Sequence, residues 1–271
     1  GPRYDLLEGT AYGQGQWASS IRYHDGKFYV WFTANGAPGR GFVYTATDPA
    51  GPWKLLSRPP HFHDGSLLFD DDGRVYLFHS TGQLTELKTD LTDVLPGGIN
   101  QQIFERDADE QGLLEGSSVI KHNGKYYLLM ISMDWSIPGR LRREVCYRAD
   151  KITGPYEKRV ILETEFDGHG GVGQGCIVDG KNGEWYGLIF QDRGGVGRVP
   201  CLMPCTRKMV GLCWETRMGT FRMIPLYRIC QWMVSAVRMI FPLPGFPSIG
   251  SGIITPSIRH GVLPTVPDFC V

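Results

Sequence analysis

The chain has no surplus of either charge: 28 Lys and Arg stand against 28 Asp and Glu in 271 residues. That balance removes the electrostatic argument for a nucleic-acid or anionic-membrane partner, and neither is expected. No apolar run reaches the ~18 residues that a membrane-spanning helix needs. No stretch keeps a 3.6-residue apolar period between helix caps, so a helical fold is not expected either. The seven cysteines are an odd number, and Cys201 and Cys205 are followed by no second pair at zinc-binding spacing, which argues against a cysteine metal site. No secretory leader is visible in the opening "GPRYDLLEG", which reads as mid-loop; the true N-terminus is expected upstream, and the compartment is left open.

What is present is a repeat. Four segments share one layout: "QWASSIRYHDGKFYVWF", "HDGSLLFDDDGRVYLF", "LEGSSVIKHNGKYYLLM" and "GQGCIVDGKNGEWYGLIF". Each is an apolar or alternating run, a turn ending in glycine, and an aromatic, β-branched run, which is a β-hairpin signature. The turn glycines Gly26, Gly73, Gly124 and Gly183 recur after 47, 51 and 59 residues. Repeats of that length built from short strands have the size of propeller blades, about four strands each. Further segments, "TDPAGPW", "TDLTDV" and "ADKITGPYE", read as outer loops between one unit and the next.

Nine residues before each turn glycine stand Trp17, Asp64, Glu115 and Gln174. Equivalent positions of successive blades surround one axis, so these four are expected to converge at one mouth of a central channel. Two carboxylates heading otherwise apolar strands are the reason to look for chemistry there, because a buried carboxylate is rarely only structural. The Asp70-Asp71-Asp72 run reads as a solvated turn, since its ligand spacing does not match a calcium loop.

Residues 208–271 break the pattern. Glu215 and Asp268 are their only acids, they hold five of the eight methionines, and they contain no Asn. Codons for Lys208–Thr216 read two nucleotides later can spell Asp-Gly-Trp-Pro-Met-Leu-Gly-Asp, and the continued frame permits aromatic, alternating β sequence. The expected organisation is a partial β-propeller over 1–207 and a frameshift-derived, non-native tail over 208–271. In the shifted frame the tail would be a linker and the start of a β-sandwich.

The passages "WASSIRYHDGKFYVWF", "HDGSLLFDDDGRVYLF" and "EGSSVIKHNGKYYLL", in that order, resemble glycoside hydrolase family 43, and "GEWYGLIFQDRGGVGRVPCLMP" is similar to its later blades. The resemblance covers roughly residues 4–207. It implies an all-β, five-bladed propeller, here lacking its first blade. It also implies an inverting hydrolase of β-xylosides or α-L-arabinofuranosides from plant hemicellulose, with xylo- or arabino-oligosaccharide as partner.

On that resemblance Glu115 is the general acid, Asp64 modulates its pKa, and the catalytic base is missing from the chain, Asp5 being no substitute. Little or no activity is therefore expected. Trp17 borders the sugar pocket, Gln174 takes a slot where relatives carry a channel histidine, and Arg193 falls where some relatives place a pocket arginine. His169, on the Gly-rich "DGHGGVGQG", and Trp135, on the aglycone side, complete the candidate substrate-binding set. No metal ligand is assigned and no cofactor is required; calcium in the channel is left open. The alternative is a propeller that binds carbohydrate or protein without chemistry, since a fold does not dictate a function.

Overall fold

The computed structural model describes residues 15–35, 40–163, 172–179, 185–205 and 224–225. They form four antiparallel sheets, each a simple meander. The first runs β2 (Ser20–His24), β3 (Lys27–Asn35), β4 (Gly41–Ala46) and β5 (Lys54–Ser57), with β1 (Gly15–Gln16) on the same edge of β3 as β2. The second is β6 (Ser66–Phe69), β7 (Val75–His79), β8 (Gln83–Leu87) and β9 (Asn100–Gln102). The third is β10 (Gly112–His122), β11 (Lys125–Asp134), β12 (Arg143–Ala149) and β13 (Glu157–Leu162). The fourth is β14 (Val172–Asp179), β15 (Trp185–Asp192), β16 (Arg198–Cys205) and the short β17 (Ile224–Pro225).

The hairpins arise where the turn chemistry demands. Asp25 and Gly26, and again Asn123 and Gly124, both take positive φ (46° and 74°, 49° and 73°). That is the backbone of the two-residue turn whose twist matches the flanking strands. The apolar runs of β7 and β11 are buried on both faces. In β7, Val75 and Leu77 pack with Trp31, Val43 and Leu87 between the first and second sheets. Tyr76 and Phe78 point the other way, into a core with Leu114, Leu128, Met130 and Val145 of the third. In β11, Tyr127 and Leu129 turn instead toward Ile177 of the fourth sheet. A period of two with both sets buried is what makes "VYLF" and "YYLLM" read as unbroken apolar runs.

The innermost strands β2, β6, β10 and β14 touch in that order and frame a central cavity of about 300 Å³. The architecture is thus a four-bladed propeller arrangement, one blade per repeat. It overturns the expectation of a five-bladed propeller lacking one blade: a blade needs its own hairpin, and the described residues carry four. The fifth came from the resemblance, not from any residue.

Two other expectations change. The loops expected between units join the third strand to the fourth within a blade: β4 to β5, β8 to β9 and β12 to β13. Asp70 is not part of a solvated turn but is buried, accepting from Tyr126 Oη (2.6 Å) and from Lys121 Nζ, so it ties the second blade to the third. Apart from Ile224 and Pro225, residues 208–271, expected to be a frameshift-derived tail, lie outside the described residues. No helix among the described residues is long and apolar enough to cross a membrane.

Candidate active site

The innermost strand of each blade begins or is interrupted near the place where the repeat sets its candidate residue. Trp17 falls between β1 and β2, its N–H donating to Thr33 O (2.9 Å). Asp64 precedes β6 with φ +50°, a left-handed backbone that a non-glycine residue adopts only under constraint. Glu115 opens a bulge in β10 between Glu115 and Ser118, and Gln174 lies in the equivalent irregularity of β14 between Val172 and Gly175. Bulges re-aim a side chain out of the ladder; of the four candidates, Gln174 is among the residues that line the cavity. Gly116 in the β10 bulge has φ +78°, and a Cβ there would meet Gln174 Cβ at 2.6 Å, so the third and fourth blades meet through a glycine.

Asp64 is 4% exposed. Its Oδ2 accepts from the Gly116 N–H (3.1 Å) and lies 3.5 Å from His63 Nε2. The same Nε2 lies 3.4 Å from Glu115 Oε2, and the Glu115 side chain is 35% exposed. One acid is therefore buried behind the other, with an imidazole across both. Burial pushes the Asp64 carboxyl up from its ordinary value, and the nearby Glu115 charge adds to this. The charge of His63, the Gly116 N–H and the charge of Arg198 oppose it. His63 is raised, first by its hydrogen bond to Glu115, against burial, and then by the two negative charges. The Trp17 ring covers His63 at 5.6 Å between centroids, tilted by 58°, and Trp17 itself is 42% exposed.

The cavity next to this cluster is lined by Ser19, Arg22, Ser66, Gln174, Cys176 and Arg198 among others, and none of its described lining residues is a carboxylate. Arg22 stands where the other repeats carry Phe69, Ile120 and Asp179. It donates to Leu67 O (2.8 Å), Ser66 Oγ (2.7 Å) and Val119 O (2.8 Å), pinning three blades around the channel. The nearest donor atoms of His63, Asp64 and Glu115 lie within 4.8 Å of one another, a spacing a cation could bridge. The contact of His63 with both acids accounts for it without one.

Of the candidate residues, Asp64 and Glu115 meet through His63, Trp17 lies against His63, and Gln174 lies apart from them beside Gly116, in the cavity lining. Trp135 is 66% exposed at the end of β11, its indole over Gly112, where an added Cβ would meet the ring at 2.7 Å. Arg193 opens the tight turn Gly194–Val196, its N–H donating to Gly197 O (2.8 Å), and it is not among the cavity-lining residues. His169 lies outside the described residues. Sequence reasoning passed over His63 and Arg22. The signals were there: a histidine directly before the candidate acid, and a charge in a slot that is apolar in two sister repeats.

Residues 4–211 match the profile of the glycosyl hydrolases family 43. A Xylanibacter ruminicola protein assigned as a β-xylosidase is 34% identical over 206 residues, which cover 71% of this chain and 36% of that protein. The extracellular endo-α-(1→5)-L-arabinanase 1 of Bacillus subtilis is 31% identical over 202 residues, 67% of this chain and 58% of that enzyme. Among solved structures, a bifunctional GH43-CE protein of Bacteroides eggerthii superposes with a TM-score of 0.63 at 38% identity, covering 78% of this chain and 26% of that one. The chain thus spans 36% and 58% of the length of the two curated relatives. The profile match spans all four repeats, and the chain belongs to the glycosyl hydrolases family 43.

Proposed function

We propose that the chain carries the acid half of an inverting glycosidase site for β-xylosides or α-L-arabinofuranosides of plant hemicellulose, with xylo- or arabino-oligosaccharides as substrate. Glu115 is the general acid and Asp64 its pKa modulator. The observation that carries this is the stacking of one carboxylate behind the other. An inverting enzyme needs its acid and its water-activating base roughly 6.5–9.5 Å apart, with room for water between. Oxygens of Asp64 and Glu115 lie within 4.8 Å of one another, too close for that division of labour. A buried carboxylate at that distance instead suits a supporting place behind the acid. Trp17 offers an exposed aromatic face beside the cluster, suited to the C–H face of a sugar. The relatives' names, a β-xylosidase and an arabinanase, support pentose-containing glycans. The profile match, ending at 211, supports residues 1–207 as the catalytic unit.

The water-activating carboxylate is not among the described residues of the cluster or the cavity lining. Slow hydrolysis is the consequence, and the same observation favours the second reading, a propeller that binds glycan without cleaving it. Turnover of an aryl β-xyloside and an aryl α-L-arabinofuranoside, with and without azide, separates the two. Azide attacks the anomeric carbon without needing a base, while Glu115 protonates the departing oxygen. The enzyme reading predicts azide-stimulated release of the aryl alcohol that falls by at least about 10²-fold in Glu115→Gln. No release from either sugar with azide present would move the reading to glycan binding.

A further inference from the structure

Resting on the reading of Glu115 as the acid, we propose that His63 is its positioning residue, sharing a proton with Glu115 that substrate binding drives onto the acid. The imidazole sits between the two carboxylates at 3.4 Å and 3.5 Å and under the Trp17 ring, and its side chain is 36% exposed. The charged groups acting on it are Glu115 and Asp64; Arg198 acts on Asp64 from the fourth blade. With the proton on His63 Nε2, the pair is imidazolium and carboxylate, and Glu115 cannot give a proton. With it on Glu115, both partners are neutral and the acid is loaded.

The open site favours the charged form, because solvent reaches both partners and both carboxylates face the ring. A sugar stacked on Trp17 removes that solvent. Desolvation disfavours an ion pair relative to its neutral tautomer. The N–H bond at Nε2 then breaks and an O–H bond forms at Glu115 Oε2, with no proton exchanged with solvent. The terminal torsion of Glu115 is broad, so the new O–H can turn to the leaving oxygen. The acid is loaded when a substrate covers it.

The test has two arms on the full chain. In the first, the imidazole resonance of His63, assigned by its loss in His63→Gln, is titrated by NMR in wild type, Glu115→Gln and Asp64→Asn. Wild type and Glu115→Gln are repeated with saturating D-xylose. The expected midpoint is above that of a free imidazole in wild type, falls back in Glu115→Gln, falls less in Asp64→Asn, and drops when xylose binds wild type. A midpoint that Glu115→Gln leaves where it was, or one that xylose raises, overturns the proposal.

In the second arm, azide-assisted turnover of the aryl pentosides is followed against pH. His63→Ala is expected to lose about tenfold in kcat with KM little changed, and its alkaline limb, which belongs to the pair, moves. His63→Gln, which keeps a donor, recovers part of kcat but not the limb; a recovered limb would overturn the proton sharing. A His63 coupled to Glu115 in a chain with no turnover supports the pair and overturns only the pentosidase reading. Full turnover with an uncoupled His63 does the reverse.

Discussion

Two acidic clusters among the described residues differ in their counter-charges. Asp107, Asp109 and Glu110 bring their oxygens as close together as the site cluster does. Lys158 Nζ sits among them, ion-paired to Asp107 and 3.3 Å and 3.0 Å from Asp109 and Glu110. Arg143 Nη2 adds a second cation 2.7 Å from Asp109, and Tyr147 Oη donates to Glu110 (3.2 Å). Every acid there has a fixed partner. At Asp64 and Glu115 the only close titratable partner among the described residues is one histidine, which can give its charge up. Paired carboxylates stay ionised and fasten strands together, whereas under-neutralised ones can hold a proton and deliver it.

The sharpest break between the two clusters is expected from amide replacements. Glu115→Gln should cost about 10²–10⁴ in azide-assisted kcat and move the stability by no more than about 0.5 kcal/mol, since the residue is half-exposed. Kinetics and thermal melting on the same preparation check both numbers. Lys158→Met should leave turnover unchanged but destabilise by about 3 kcal/mol, because three carboxylates lose their shared cation; denaturant melts report it.

Gly116→Ala should cost about 2 kcal/mol and part of the activity, because φ +78° and the 2.6 Å approach of Gln174 both oppose a side chain. The smallest effects sharpen the contrast through pH. Asp64 has a raised folded-state pKa from burial, so its ionisation opposes folding, and the penalty grows as pH rises through the carboxyl range. Asp64→Asn should therefore be more stable than wild type by about 1 kcal/mol at neutral pH, with the gap closing in acid. In Asp109, burial pushes the carboxyl up but Arg143 and Lys158 outweigh it, so the folded-state pKa is lowered. Its contribution is present at neutral pH and lost as pH falls through the folded value. Asp109→Asn should be less stable than wild type at neutral pH and equal in acid, the opposite sign, read in the same melts.

Much of the fold was legible because the hairpins state themselves twice, in the Asp-Gly and Asn-Gly turns and in runs such as "VYLF" whose two faces are both buried. That Trp17, Asp64 and Glu115 lie near one another, around His63, is in keeping with repeat symmetry. Blade number was misread, because a resemblance supplied a blade that the described residues do not form. Partners from distant strands were also out of reach: nothing near Glu110 announces Lys158 or Tyr147, 48 and 37 residues later. Asp70 was misplaced for the same reason, its partners Lys121 and Tyr126 lying in another blade. His63 and Arg22 could have been found by asking which repeat positions change chemical type.

The central claim is that the two clusters divide chemistry from stability. It is tested most directly by measuring azide-assisted pentoside turnover and melting temperature for Glu115→Gln beside Glu110→Gln. The account predicts that Glu115→Gln loses turnover and keeps its melting temperature, and that Glu110→Gln melts earlier and keeps turnover below its transition. Turnover surviving in Glu115→Gln, or lost in a folded Glu110→Gln, would contradict it.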